Sequence, residues 1–143
     1  MPRYLLIVDF QPGDDPTPLE EWTPAEVDAH MAYYRRLNDE LAASGELVGG
    51  EILSAPDASF VVRSAGPAAT KVTEGPFPEF SEWVAGFQVV ETATVERALE
   101  IAALVSAVPG RGGRPLAQPI QVREVVGDPP RNQVEITAWL HEA

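Results

Sequence analysis

His30 is one of two histidines in the chain, and the other, His141, lies close to the C-terminus. Histidine ordinarily titrates near neutrality, so its imidazole can take or give a proton under physiological conditions. The same residue type on the apolar side of a helix also serves as a core group hydrogen-bonded to backbone. A second chemically promising stretch is Thr73-Glu74-Gly75-Pro76-Phe77-Pro78-Glu79, which runs on through Glu82, Trp83, Gly86 and Phe87. There a Gly-Pro turn holds Glu74 and Glu79 between two apolar, strand-like runs. Glycine accepts backbone angles closed to other residues and proline fixes φ, so such a turn can hold acids at a sheet rim. Glu74 is readable as an acid whose pKa burial would raise, or as a turn carboxylate accepting backbone N–H bonds. Glu79 and Glu82 read more simply as solvated. Arg123 suits a carboxylate or enolate oxygen, or a cross-sheet pair with Glu51. Phe60, Phe77, Trp83 and Phe87 fit a pocket for a flat ligand, or a core or interface. A metal site of His30 with Glu74 or Glu79 is conceivable, but one histidine without a recognised ligand spacing argues against it, and no metal is expected.

Several chemistries are excluded. The chain has no cysteine, so disulfides, thiolate nucleophiles and Cys-based zinc sites are ruled out. No nucleophilic triad, P-loop or dinucleotide fingerprint occurs; Gly110, Gly112 and Gly113 follow a helix, not a strand. The net charge of −12 argues against nucleic acid and anionic membrane surfaces as partners. The run Tyr4 to Phe10 is too short to cross a bilayer and is broken by Asp9, which also disfavours a signal peptide, so a cytoplasmic protein is expected.

The elements that must position these residues follow from pattern. At 143 residues, 45% hydrophobic and 22% charged, the chain is expected to be one globular domain. Tyr4 to Val8 reads as a buried strand. Thr23-Pro24-Ala25-Glu26 is a helix start with Thr23 as N-cap and Glu26 closing a capping box; the helix is predicted to run to about Ser44 with Gly45 as its left-handed stop. Val27, Met31, Tyr34, Leu37, Asn38 and Leu41 share one face, and His30 falls within that arc. Strands are predicted over 47–53, 59–63 and 84–90, with a lesser extended piece near 70–72. Gly49 and Gly50 suggest a bulge or close backbone approach. Thr94 caps a second helix carrying Val95, Ala98, Leu99, Ala102 and Val105, expected to end at Pro109-Gly110. A last strand holds Ile120, Val122 and Arg123. Gly127-Asp128-Pro129-Pro130 then sets off residues 128–143 as a C-terminal extension to the domain of residues 1–127, with a short helix over 132–142. This order fits an α+β fold, a ferredoxin-like sandwich with helices on one face of a largely antiparallel sheet. The other face needs cover, and a second copy of the chain is the simplest one.

The chain resembles the YCII-related family, in its subgroup marked by an Asp-Gly-Pro-Phe motif. The resemblance spans roughly residues 4 to 126. It is carried by Tyr4-Leu5-Leu6-Ile7, Ala29-His30-Met31, Gly45 to Glu51, Thr73-Glu74-Gly75-Pro76-Phe77, Glu79, Gly86-Phe87, Ala98-Leu99-Glu100 and Val122-Arg123. Glu74 replaces the motif's Asp and lengthens its reach by one methylene. The resemblance implies a dimeric α+β barrel and a pairing of His30 with the motif-loop acid Glu74 as catalytic groups. Glu79 matches the family pattern, and Glu79, Phe77, Phe87 and Arg123 become the expected substrate contacts. The implied function is a cofactor-independent enzyme doing proton-transfer chemistry, of isomerase, lyase or cyclase type, on a small cyclic or aromatic metabolite. The alternative is a non-catalytic ligand-binding or regulatory interaction module.

Overall fold

The computed structural model describes residues 1–11, 17–75 and 82–142. Four strands make the main sheet: β1 (Arg3–Phe10), β2 (Leu47–Ile52), β5 (Trp83–Glu91) and β6 (Ile120–Glu124), in spatial order β2-β5-β1-β6 with every neighbouring pair antiparallel. Helix α1 (Pro24–Ala43) joins β1 to β2, and α2 (Val95–Ser106) joins β5 to β6. This is the ferredoxin-like α+β order. Between β2 and β5 a ribbon of β3 (Phe60–Ser64) and β4 (Thr70–Glu74) forms a separate two-stranded sheet. A last helix, α3 (Gln133–Glu142), has no buried residue and joins neither sheet.

Alternation along β1 divides the molecule. Tyr4 and Leu6 are buried towards the helices with Val90, Leu37, Leu41, Ala98, Ile101, Ala102 and Val105, and Val122 packs on the same cluster. Leu5 and Ile7 have the opposite parity and share the other face with their register partners Val89, Phe87, Gln121 and Arg123. Among these, the apolar Leu5, Ile7, Phe87 and Val89 are only half-buried.

Local signals explain most boundaries. The Thr23 hydroxyl accepts from the Glu26 amide at 3.2 Å and the Glu26 carboxylate accepts from the Thr23 amide at 2.9 Å, which completes the capping box. Gly45, at φ +80°, ends α1 in the left-handed conformation expected of a C-terminal glycine. The glycine pair in β2 also does what its position suggests. The β2–β5 register shifts between Leu47 and Gly49, and a Cβ on Gly50 would sit 2.6 Å from the Phe87 carbonyl oxygen, so the backbones approach too closely for a side chain.

Three expectations need correction. Helix α2 stops at Ser106, before Pro109, because the chain turns out early into bonds with the following segment: Leu116 N–H donates to Val108 O and Ala117 N–H to Ser106 O. Its buried face is Ala98, Ile101, Ala102 and Val105, while Val95 and Leu99 are exposed; the stripe is rotated from the one read off the sequence. Met31 is likewise exposed on α1, at the margin of the arc assigned to it.

Outside the core, Arg97 on α2 grips Glu46 with two nitrogens, at 2.8 and 3.1 Å. The Arg97 hydrogen bonds, with one from the Ser44 hydroxyl, hold the Glu46 carboxyl below the usual carboxylate range. Its contribution is therefore present above the ordinary carboxylate pKa and fades as pH falls through the lowered one.

Candidate functional site

Glu26, His30 and Tyr34 stand at successive i, i+4 positions of α1, so their side chains share one edge of the helix. That edge meets the turn that follows α2. The His30 Nδ1 lies 2.9 Å from the carbonyl oxygen of Pro109. A carbonyl only accepts, so Nδ1 carries the proton, and in the neutral ring Nε2 holds the lone pair. Nε2 has no hydrogen-bond partner among the described residues. Two aromatic rings bracket the imidazole edge-on: Trp22 at 5.6 Å and 80°, and Tyr34 at 5.2 Å and 70° between planes. With the hydrogen bond, these contacts restrict rotation of a half-buried ring.

The surroundings are tied down as well. The Trp22 indole N–H donates to the Thr17 carbonyl at 3.2 Å. The second oxygen of Glu26 accepts from Gly112 N–H at 2.5 Å. The Thr23 amide first, then the Gly112 amide, hold the Glu26 carboxyl below its usual range. Burial pushes the Tyr34 phenol up, with a smaller push from Tyr33, so Tyr34 stays protonated at neutral pH. Next to this cluster an open concavity of about 480 Å³ is lined by Leu19, Glu20, Trp22, Pro24, Val27 and Asp28.

The other residues singled out from the sequence are placed elsewhere. Glu74 is exposed at the end of β4, opposite Phe60 in the ribbon, and no hydrogen bond or ion pair joins it to His30. At His30 Nδ1, where an orienting acid would act, the Pro109 carbonyl sits instead. Glu79 and Phe77 lie outside the described residues. Phe87 and Arg123 occupy the sheet face that looks away from α1 and α2, as the registers Phe87–Ile7 and Arg123–Leu5 require. Within one chain the sheet thus separates them from His30. Arg123 is also far from the alternative partner considered for it: Glu51 is on β2 and Arg123 on β6, the two opposite edges of the sheet. Among the described residues no three His, Cys, Asp or Glu side chains converge in a way that could hold a metal.

The sequence singles out His30 by its chemistry but not the groups around it. Glu26 carries only the signal of a helix cap and Tyr34 only that of a core residue, although both lie one turn from His30. Trp22 directly precedes the N-cap, a position that turns a side chain back along the first helical turn. Pro109 carried no local signal, since its part is played by a carbonyl from 79 residues away in sequence.

No curated protein matches the chain. The model of the YCII-related domain does, over residues 3–109. The match takes in β1, the whole of α1 with His30, β2, the ribbon, β5, α2 and Pro109; it stops short of Gly112, β6 and Arg123. Over that span the match and the ferredoxin-like order of elements agree, and the chain belongs to the YCII-related domain family.

Proposed function

We propose that this protein is a cofactor-independent proton-transfer enzyme, of isomerase, lyase or cyclase type, with His30 as its general base. One observation carries the reading: the Nδ1–H bond to Pro109 leaves Nε2 as the basic nitrogen of a half-buried, aromatic-walled imidazole. In this scheme Nε2 removes a proton from a carbon next to a carbonyl, and the Pro109 oxygen steadies the imidazolium that forms. The same nitrogen then returns the proton at a neighbouring position or to a leaving group. Glu74, exposed and with no side-chain hydrogen bond among the described residues, is the proposed second acid–base group, with Glu79 and Phe77 of its motif loop as substrate contacts. Phe87 and Arg123 are proposed to act on the open sheet face, as contacts to ligand or to a second subunit. The aromatic walls favour a flat, small cyclic or aromatic carbonyl compound.

The test is a screen of phenolic, lactone and keto-acid metabolites by thermal shift, followed by proton exchange on each compound that stabilises the protein. Compounds that bind are expected to incorporate deuterium from D2O at the carbon next to their carbonyl when wild-type protein is added. Binding without exchange across the panel would count for the second reading, a ligand-binding or regulatory module. One feature favours that alternative. Phe60, Val62 and Val72 lie on one face of the ribbon and are 62%, 61% and 59% exposed, an apolar strip apart from the main sheet.

Assembly as a homodimer through Leu5, Ile7, Phe87 and Val89 is part of the same proposal. Burying apolar area contributes roughly 25 cal/mol per Å², enough over such a face to offset the cost of association. Sedimentation at micromolar concentration is expected to give twice the 15.4 kDa chain mass; a single species at 15.4 kDa would remove the dimer.

A further inference from the structure

We infer that Glu26 is a positioning residue for His30, acting through the turn that carries Pro109; the inference rests on His30 being the functional group of the preceding proposal. Two side-chain bonds tie that turn to α1, and they start one helical turn apart: His30 Nδ1 to Pro109 O at 2.9 Å, and Gly112 N–H to Glu26 at 2.5 Å. A single hydrogen bond lets a loop swivel about it, whereas two fix its orientation against the helix.

The turn has its own internal bonds, Gly110 N–H to Arg114 O at 2.7 Å and Gly113 N–H to Gly110 O at 3.1 Å. These hold its shape and not its place on α1. A further side-chain tie, Arg111 to the Thr17 hydroxyl at 2.7 Å, reaches the segment before the helix. Buried Val108, the Leu116 N–H bond to Val108 O and the Pro109–Pro115 bridge anchor the turn at its base, and Glu26 adds the tie that sets its tilt against α1, and with it the direction of the Pro109 carbonyl relative to the imidazole. The carbonyl in turn determines which ring nitrogen keeps the proton.

The geometry supplies a variant and its control. Glu26 uses one oxygen for the Thr23 amide and the other for Gly112. Glu26→Ala removes both acceptors, so the tie to the turn is lost together with the return bond of the capping box. Thr23→Ala is the matching control. It removes the capping hydroxyl and destabilises the helix start but leaves the Glu26–Gly112 contact in place.

The readout is the ring-nitrogen spectrum of His30 by 15N NMR above its titration, with His141→Gln used to assign the two histidines. Wild-type protein and Thr23→Ala are expected to show the Nδ1-protonated neutral tautomer. Glu26→Ala is expected to shift predominantly to the Nε2-protonated form, which a neutral histidine favours when Nδ1 has no acceptor. An unchanged tautomer in Glu26→Ala would overturn the assignment. If that variant folds poorly, Glu26→Leu carries the same test, because it keeps a good helix former and has no acceptor for the Gly112 N–H. The spectrum is independent of any substrate. Loss of the tautomer effect therefore counts against Glu26, and absence of proton exchange in the wild type counts against His30 as a base.

Discussion

His30→Ala is expected to lower the rate of catalysed proton exchange by about 10²–10⁴-fold, the usual contribution of a positioned general base. The fold should survive. The side chain makes one hydrogen bond and two ring contacts at the margin of the core, and a single such bond is worth about 1 kcal/mol. That is small beside the roughly 5–15 kcal/mol of a typical domain. His30→Asn separates structure from chemistry further, since its amide can still donate towards Pro109 but has no basic nitrogen. It should resemble the alanine variant in rate and the wild type in melting. Full exchange activity in His30→Ala, on a compound the wild type turns over, would end the proposal that His30 is the base.

Leu6→Ala is expected to have the largest effect on stability, about 2–5 kcal/mol. Leu6 is wholly buried in the central strand, flanked by Gln88 of β5 and Val122 of β6, within the cluster of Val90, Ile101, Val105 and Leu41. Removing its isobutyl group leaves a cavity that strands on both sides and helices above keep from collapsing. In urea the midpoint should fall with little change in slope, because the surface exposed on unfolding stays nearly the same. A loss below about 1 kcal/mol would contradict the packing described. Ile7, one residue along and of opposite parity, is only half-buried in the single chain, so Ile7→Ala should cost an isolated protomer much less.

What could be read from the sequence was what is encoded locally. Thr23 and Glu26 announce the start of α1 because both partners of the capping box lie within four residues. Gly45 marks its end because only glycine takes that φ without strain. Gly49 and Gly50 revealed the close β2–β5 approach for the same reason, and the order of elements was sufficient for the ferredoxin-like arrangement. The rotated face of α2 was not legible. Leu99 and Ile101 are equally apolar, and only the sheet beneath decides which is buried. At the candidate site, His30 stood out by its chemistry. The Pro109 carbonyl did not, since backbone atoms look alike in every residue. Nor could composition show that β5 and β1 would come between Arg123 and Glu51, because that depends on strand order. Glu79 and Phe77 lie outside the described residues, so their part in the site stays with the proposal.

The partition made by the sheet has a consequence for linkage between binding and assembly. His30 faces the helical layer, and Leu5, Ile7, Phe87 and Arg123 face away from it, with one layer of backbone between them. Two equilibria on opposite sides of a rigid layer are coupled only if some second state of that layer is favoured by both. The hydrogen-bonded β5-β1-β6 ladders and the tight Gly50 contact leave the sheet little freedom for such a state. Where Phe87 and Arg123 serve the proposed second subunit and not the ligand, affinity at His30 should therefore be the same in dilute and concentrated protein, and substitutions at His30 and on the open face should contribute additively to the free energy.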